Sequence, residues 1–348
     1  MPVFSQGNKL VLRLLKVALI AITALAGGTT LAQTTLRIHS WASPKHLINV
    51  DIIPVWCQQV EQSTQGRVKC DVSYPPNAAP PGMFDRARTG VADVTWGLPS
   101  YSPGRFLLTE VAELPGVSAS SEAMTQAFWQ THEKFFAKAD EFRGVKLLAL
   151  WLTTPGVFQT RAPIGNFSEL PGKKMRVPGG VAARIAERLD IVGIAAPANK
   201  VYEMLQQGVI DGAMMPPETS QSFRLMEVAK HMTMVPGGLY YTSFFWVMNE
   251  QTWDKISRPD QAAIMKVSGE QMARVAGKAF DKWDPIGITA AKEVGVTVTT
   301  ANDAVMKEIS KRTQPVVDAW ISEAGKKGVD AKAALDYFRT EAVRLEKK

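Results

Sequence analysis

Two successive strand–helix–strand rhythms constrain this chain more than any single motif. In the first, Leu36 and Ile38 alternate with polar neighbours and predict a strand over residues 35–40. A helix is predicted over 47–62, with Pro54 as a kink inside it, and the next strand over 68–74. The breaker-rich Pro75-Pro76-Asn77-Ala78-Ala79-Pro80-Pro81-Gly82 closes that strand. A helix over 83–89 then leads to a short buried strand over 91–96. Parallel strands need crossover connections, which helices supply, so the rhythm predicts a largely parallel sheet covered by helices.

After the loop Tyr101-Ser102-Pro103-Gly104-Arg105-Phe106, a helix over 121–139 and a strand over 145–152, the rhythm restarts. Strands over 175–177, 194–197 and 212–215 alternate with helices over 181–189 and 200–207, and a strand over 244–249 leads back to the first unit. Residues 259–294 hold few breakers and predict one long helix, kinked or broken near Pro285, that runs across both units. Two further helices, over 304–325 and 331–347, finish the chain. A chain of 348 residues exceeds what one hydrophobic core usually supports. The expected division is lobe I, 33–153 plus 242–281, and lobe II, 154–241 plus 282–348.

The first 32 residues read as a secretory leader. Lys9, Arg13 and Lys16 precede an apolar run from Val17 to Ala26, and Thr30-Leu31-Ala32 offers a small-residue cleavage site before Gln33. That run is too short to cross about 30 Å of hydrocarbon, and no later segment approaches the roughly 20 apolar residues a span needs. The expectation is an exported, periplasmic protein cleaved after Ala32, with an uncleaved anchor as the alternative. Losing the three leader cations lowers the formal charge of +7, and the remaining basic residues are scattered, which argues against nucleic acid.

Export makes the two cysteines informative. Cys57 shares a helix face with Val50, Ile53 and Val60, while Cys70 alternates with Val68 and Val72 on a strand, so both point at one interface. A disulfide, worth about 3 kcal/mol on the chain-entropy model, and two buried thiols both satisfy this pattern. Catalytic signatures are missing: there is no G-x-S-x-G, G-x-G-x-x-G, phosphate-binding loop or C-x-x-C, and His132-Glu133 is not followed by a second histidine at zinc-protease spacing. His39, His46, His132 and His231 are too dispersed to propose as metal ligands. His132 and His231 fall on helix patterns, whereas His39 and His46 flank the first strand-to-helix loop. No cofactor is implied.

Several strings, in order, resemble the extracytoplasmic solute-binding subunits of TRAP transporters, the DctP family. They are Ile38-His39-Ser40-Trp41 with His46, Thr64 to Val68, Gly90 to Val94, Tyr101 to Phe106, Glu113-Leu114-Pro115-Gly116, Leu170 to Pro178, and Val201 to Gly212. The resemblance spans essentially the whole chain after the leader. It implies an α/β two-lobe periplasmic binding protein fold with mixed sheets, hinge strands and a long lobe-spanning helix, closing over an organic acid that is passed to TRAP transporter membrane subunits. In the family's K-x-R-x-P segment the arginine pairs with the ligand carboxylate; here that residue is Arg176. A guanidinium suits the role because its planar fork matches a carboxylate and keeps its charge when desolvated.

Departures from the sialic-acid-binding branch bear on the ligand. Gly156 stands where that branch has a second arginine, with Arg161 out of register, and Met214-Met215-Pro216 stands where it has an asparagine. A pocket that trades polar contacts for methionine favours an apolar ligand body. Trp41, Tyr101, Phe158, Phe244 and Trp246 are the aromatic candidates, with Trp41 and Phe158 at strand-to-loop edges facing the expected cleft. Glu218 can accept a ligand hydroxyl or cap a helix. The expected ligand-binding set is therefore Arg176, Trp41, His46, Tyr101, Gly156, Phe158, Met215, Glu218 and Phe244. The expected function is a periplasmic binding protein, not an enzyme, for a small monocarboxylate or hydroxy acid with an apolar or aromatic body. An enzyme on the same scaffold and a ligand-sensing partner of a membrane receptor are the alternatives.

Overall fold

The computed structural model describes residues 33–347, so the leader lies outside the described residues. Eleven strands occur among them: β1 (Thr34–His39), β2 (Val68–Ser73), β3 (Val94–Gly97), β4 (Val145–Leu152), β5 (Val157–Thr160), β6 (Lys174–Val177), β7 (Val192–Ala195), β8 (Gly212–Met215), β9 (His231–Met234), β10 (Ser243–Asn249) and β11 (Thr297–Thr300). They form two sheets, ordered β2-β1-β3-β10-β4 and β11-β9-β5-β8-β6-β7. β1 pairs parallel with β2 and β3, whereas β10 runs antiparallel to β3 and β4. In the second sheet β6 is parallel to β7 and β8, and β5 is antiparallel to β8 and β9. Both sheets are mixed because the chain crosses from one to the other and back.

The two crossings run side by side. Thr153 donates its N–H to the Thr242 carbonyl at 3.0 Å and Gly156 donates to Tyr240 at 2.8 Å, so the segment leaving β4 is bonded to the segment entering β10. A helix over Gly269–Glu293 packs on the helix Ser121–Thr131 and on β4 at one end and on the short helix Thr219–Ser222 at the other. Two glycines permit its close approach to backbone. A Cβ on Gly277 would lie 2.5 Å from the Glu122 Cα, and one on Gly287 would lie 2.7 Å from the Glu218 Cα.

The expected long helix is broken, though not at Pro285. It continues through Pro285, and the interruptions fall earlier, between the helices Glu250–Lys255, Arg258–Lys266 and Gly269–Glu293. Gly269, with φ of +51° and the Trp129 ring 3.0 Å from where a Cβ would stand, sets the last interruption. Pro54 falls inside a continuous helical run, where a π-helical turn over Ile48–Ile52 leads directly into the first turn of the helix Ile53–Ser63. The helix expected to reach Ala139 is α-helical only to Thr131, then widens into a π turn and tightens into a 3₁₀ turn before Asp140 at φ of +55°. His231 opens β9 and is not helical. Cys57 and Cys70 are disulfide-bonded, with their Cα atoms 5.8 Å apart, tying the helix Ile53–Ser63 to the edge strand β2.

Candidate functional site

A cleft lies between the sheets, at the carboxyl ends of β1, β3, β6 and β8, with about 400 Å³ of space between its walls when the part open to solvent is counted. Open α/β sheets bind ligands at such ends, because the loops there are free to diverge around a small molecule. Arg176 projects from β6, where it pairs with Ile194 of β7 and Ala213 of β8. The residue is only 2% exposed. Its Nε donates to the Ala196 carbonyl at 2.7 Å and its Nη2 to the Tyr101 hydroxyl at 3.0 Å. No described carboxylate forms an ion pair with it. Two of its five N–H donors are thus occupied and three remain.

Tyr101 reaches Arg176 from the opposite side of the cleft. Its hydroxyl also accepts the Ala198 N–H at 2.8 Å. With both lone pairs taken, the hydroxyl proton is left to donate to a ligand atom. Burial raises its pKa, opposed by the neighbouring guanidinium, so the phenol stays neutral.

The remaining wall is aromatic. The Trp41 ring lies 4.6 Å from Trp96 and stacks on Phe223 at 6.4 Å, and His46 sits edge-on to Phe223 at 5.5 Å. Burial pulls the His46 pKa down to about 4, so its imidazole is neutral; its Nδ1 accepts the Ile48 N–H at 3.3 Å. Phe244 stacks between Trp151 and Phe280, at 5.7 and 6.0 Å. Trp96 is held by its Nε1–H bond to the Ser40 hydroxyl at 2.9 Å, whereas the Trp41 Nε1 is buried without a partner. Met215 and Glu218 complete the floor on the second-sheet side. Burial raises the Glu218 carboxyl to a pKa of about 8, against the stabilising bond from Ser222.

Seven of the nine expected residues line this cleft: Arg176, Trp41, His46, Tyr101, Met215, Glu218 and Phe244. Phe158 and Gly156 do not, which corrects the expectation for both. Phe158 lies within β5, paired with Met214, fully buried in the core and away from the cleft. Gly156 faces the Tyr240 ring, where an added Cβ would lie 2.2 Å from Cε1; the space is filled by a tyrosine. Trp246 is also core, packed edge-on against Trp56 at 5.2 Å. His39 ends β1 outside the lining, with its Nδ1 accepting from Arg86. Arg161 is exposed, and Arg105 lies 3.8 Å over the Phe84 ring, so neither joins Arg176.

Sequence reasoning missed Trp96, Leu98, Thr153, Thr242, Phe223 and Phe280. For Trp96 the signal was present, since it closes a predicted strand at the carboxyl end. Phe223 and Phe280 carry no local signal: one follows a four-residue helix, and the other occupies one turn of a long helix.

The chain matches the family model of the bacterial extracellular solute-binding proteins, family 7 (DctP), over residues 39–323, and it belongs to that family. It is 31% identical to the Comamonas testosteroni protein named outer membrane transporter protein TsaT, over 95% of this chain and 97% of that one. Among solved structures it resembles a TRAP periplasmic solute-binding protein of Bordetella bronchiseptica with bound (R)- and (S)-mandelate, at 35% identity and a TM-score of 0.87, covering 90% of this chain and 99% of that one. A TRAP solute-binding protein of Rhodoferax ferrireducens in complex with copurified benzoate gives 27% identity and a TM-score of 0.85, with the same coverage. Proteins of this family are two-lobe extracytoplasmic receptors that work with membrane subunits. No helix among the described residues is long and apolar enough to cross a membrane.

Proposed function

We propose that this chain is exported, cleaved after Ala32 and retained in the periplasm, where it captures a small aromatic or branched monocarboxylate and delivers it to TRAP membrane subunits. Arg176 holds the ligand carboxylate. The observation that carries this reading is Arg176 itself, a residue 2% exposed that lines the cleft and has no carboxylate partner among the described residues. A buried charge is strongly unfavourable unless paired, and a ligand carboxylate supplies the missing anion in the fork geometry that guanidinium favours. Tyr101 steadies that fork and adds a donor of its own. The rings of Trp41, Trp96, Phe223 and Phe244 supply a flat apolar slot for the rest of the ligand. The mandelate and benzoate bound by two similar structures are acids of this shape.

Because Tyr101 and Arg176 come from opposite sides, their bond and the Trp41–Phe223 stack exist only when the lobes are shut. Ligand binding and closure are therefore one event, and the shut form is what membrane subunits would distinguish. Titration calorimetry of the protein lacking its leader against mandelate and benzoate tests the reading. Micromolar or tighter binding is expected, and failure of every monocarboxylate tried, with the protein folded, would overturn it.

A further inference from the structure

Glu218 is a buried carboxyl in the wall of a cleft built for an anion, and the carboxylate of the ligand gives it no reason to be there. It is 3% exposed. Its Oε2 accepts the Ser222 hydroxyl at 2.6 Å, its Oε1 makes no hydrogen bond among the described residues, and its backbone N–H goes to Asp284 at 3.0 Å. No described cation pairs with it. The groups around it are Ser222 on its own segment, Asp284 and the backbone at Gly287 on the long helix, Arg176 on the same wall of the cleft, and Tyr101 and neutral His46 across it. An ionised Glu218 enclosed with a carboxylate ligand and Asp284 would face two like charges in a low-dielectric space.

We propose that Glu218 enters the closed complex as a neutral carboxylic acid and donates its Oε1–H to an uncharged hydroxyl or keto oxygen on the ligand body. This makes it a specificity-determining residue for hydroxy and keto acids, and it rests on the proposed function above. Burial works in the same direction, holding the Glu218 carboxyl at about 8 and Asp284 at about 7 in the shut form. When the lobes part, water reaches Glu218 and its proton leaves more readily, so closure takes up a proton. Affinity then falls as pH rises, by up to about tenfold per unit between the open-state and closed-state values, because the complex binds one proton more than the free protein.

The test is calorimetry with mandelate in buffers of different ionisation enthalpy between pH 6 and 8.5, on the wild type, Glu218→Gln and Glu218→Ala. Proton uptake is expected in the wild type. Glu218→Gln, which keeps a neutral donor, should bind within a few-fold at pH 6 without proton uptake. Glu218→Ala should lose the preference for mandelate over phenylacetate, about tenfold in the wild type on the scale of one hydrogen bond. Mandelate binding with no proton exchanged, or uptake that persists in Glu218→Gln, overturns the assignment while leaving the carboxylate site intact. Tighter binding of phenylglycine than of mandelate also overturns it, since an ammonium partner requires ionised Glu218. Absence of any acid binding sinks both readings at once.

Discussion

The two walls of the cleft are made differently. The first-sheet wall is aromatic and braced: Trp96 is hydrogen-bonded to Ser40, Trp41 packs on Trp96, and Phe244 is stacked on both sides. The second-sheet wall carries the chemistry, with Arg176, Met215 and Glu218 on or just beyond β6 and β8. On the proposed function, one wall selects the shape of the ligand body, and the other anchors its charge and reads its polar groups. Neither wall alone makes a site. On that proposal affinity is tied to closure, which is what a receptor that signals its loaded state to membrane subunits requires.

The sharpest way to separate the walls is to weaken the first lobe without touching the cleft. Replacing Cys57 and Cys70 together by serine removes a cross-link closing a short loop at the outer edge of the first sheet. Stability should fall by about 3 kcal/mol on the chain-entropy model. Denaturant titration measures that loss, and calorimetry on the folded variant should give unchanged affinity. A large affinity loss in a folded variant would mean that the outer edge and the cleft are mechanically coupled.

Arg176→Lys attacks the second wall. A lysine keeps the charge but cannot serve the Ala196 carbonyl, the Tyr101 hydroxyl and a carboxylate fork together. Binding should weaken on the order of 1.5–3 kcal/mol, the loss of a charge-assisted hydrogen bond. Unchanged affinity for the acids that the wild type binds would remove Arg176 from the site.

How much of this was legible before folding follows from the same contrast. Arg176 was readable because it sits in a contiguous string, Lys174 to Pro178, whose strand is short and flanked by turns. Trp41, Tyr101 and Met215 were readable because each lies at the carboxyl end of a strand or in the loop after one. Phe158 was misplaced because β5 went unrecognised: once Val157–Thr160 is a strand, Phe158 faces the core and not the cleft. Gly156 was taken for a vacated ligand position, but its absent side chain makes room for Tyr240, more than eighty residues later in the chain. Such pairings are set by the hinge, where two distant segments run side by side, and no local pattern records them. No break falls at Pro285 for a related reason: proline has a strong local rule, yet the helix, packed at both ends, runs through it.

The long helix allows a matched pair that separates the lobes again, with smaller effects. In an open helix Gly→Ala gains about 1 kcal/mol, but both glycines here face backbone. Gly277→Ala should press on Glu122 in the first lobe and Gly287→Ala on Glu218 in the cleft wall, each losing about 1–3 kcal/mol by overpacking. Melting temperatures should drop for both, and affinity should fall only for Gly287→Ala. Equal affinity loss in the two variants would show that the helix transmits strain along its length.

Selectivity between ligands is the smallest effect and the most direct reading of the whole cleft. Among the residues lining it, Arg176 is the single cation, because His46 is held neutral by burial and Arg161 and Arg105 lie elsewhere. A second carboxylate on the ligand would face either the aromatic wall or Glu218, and burying an unpaired charge is far costlier than burying a neutral polar group. A phenyl-bearing hydroxy acid should therefore bind at least about tenfold tighter than malate, a difference of only about 1.4 kcal/mol. Competition titration of mandelate against malate measures it. Tighter malate would require a second cation to swing into the shut cleft, and Arg105 is the residue to test, because its 3.4 Å contact with Asp85 is a partly exposed ion pair that a dianion could outbid.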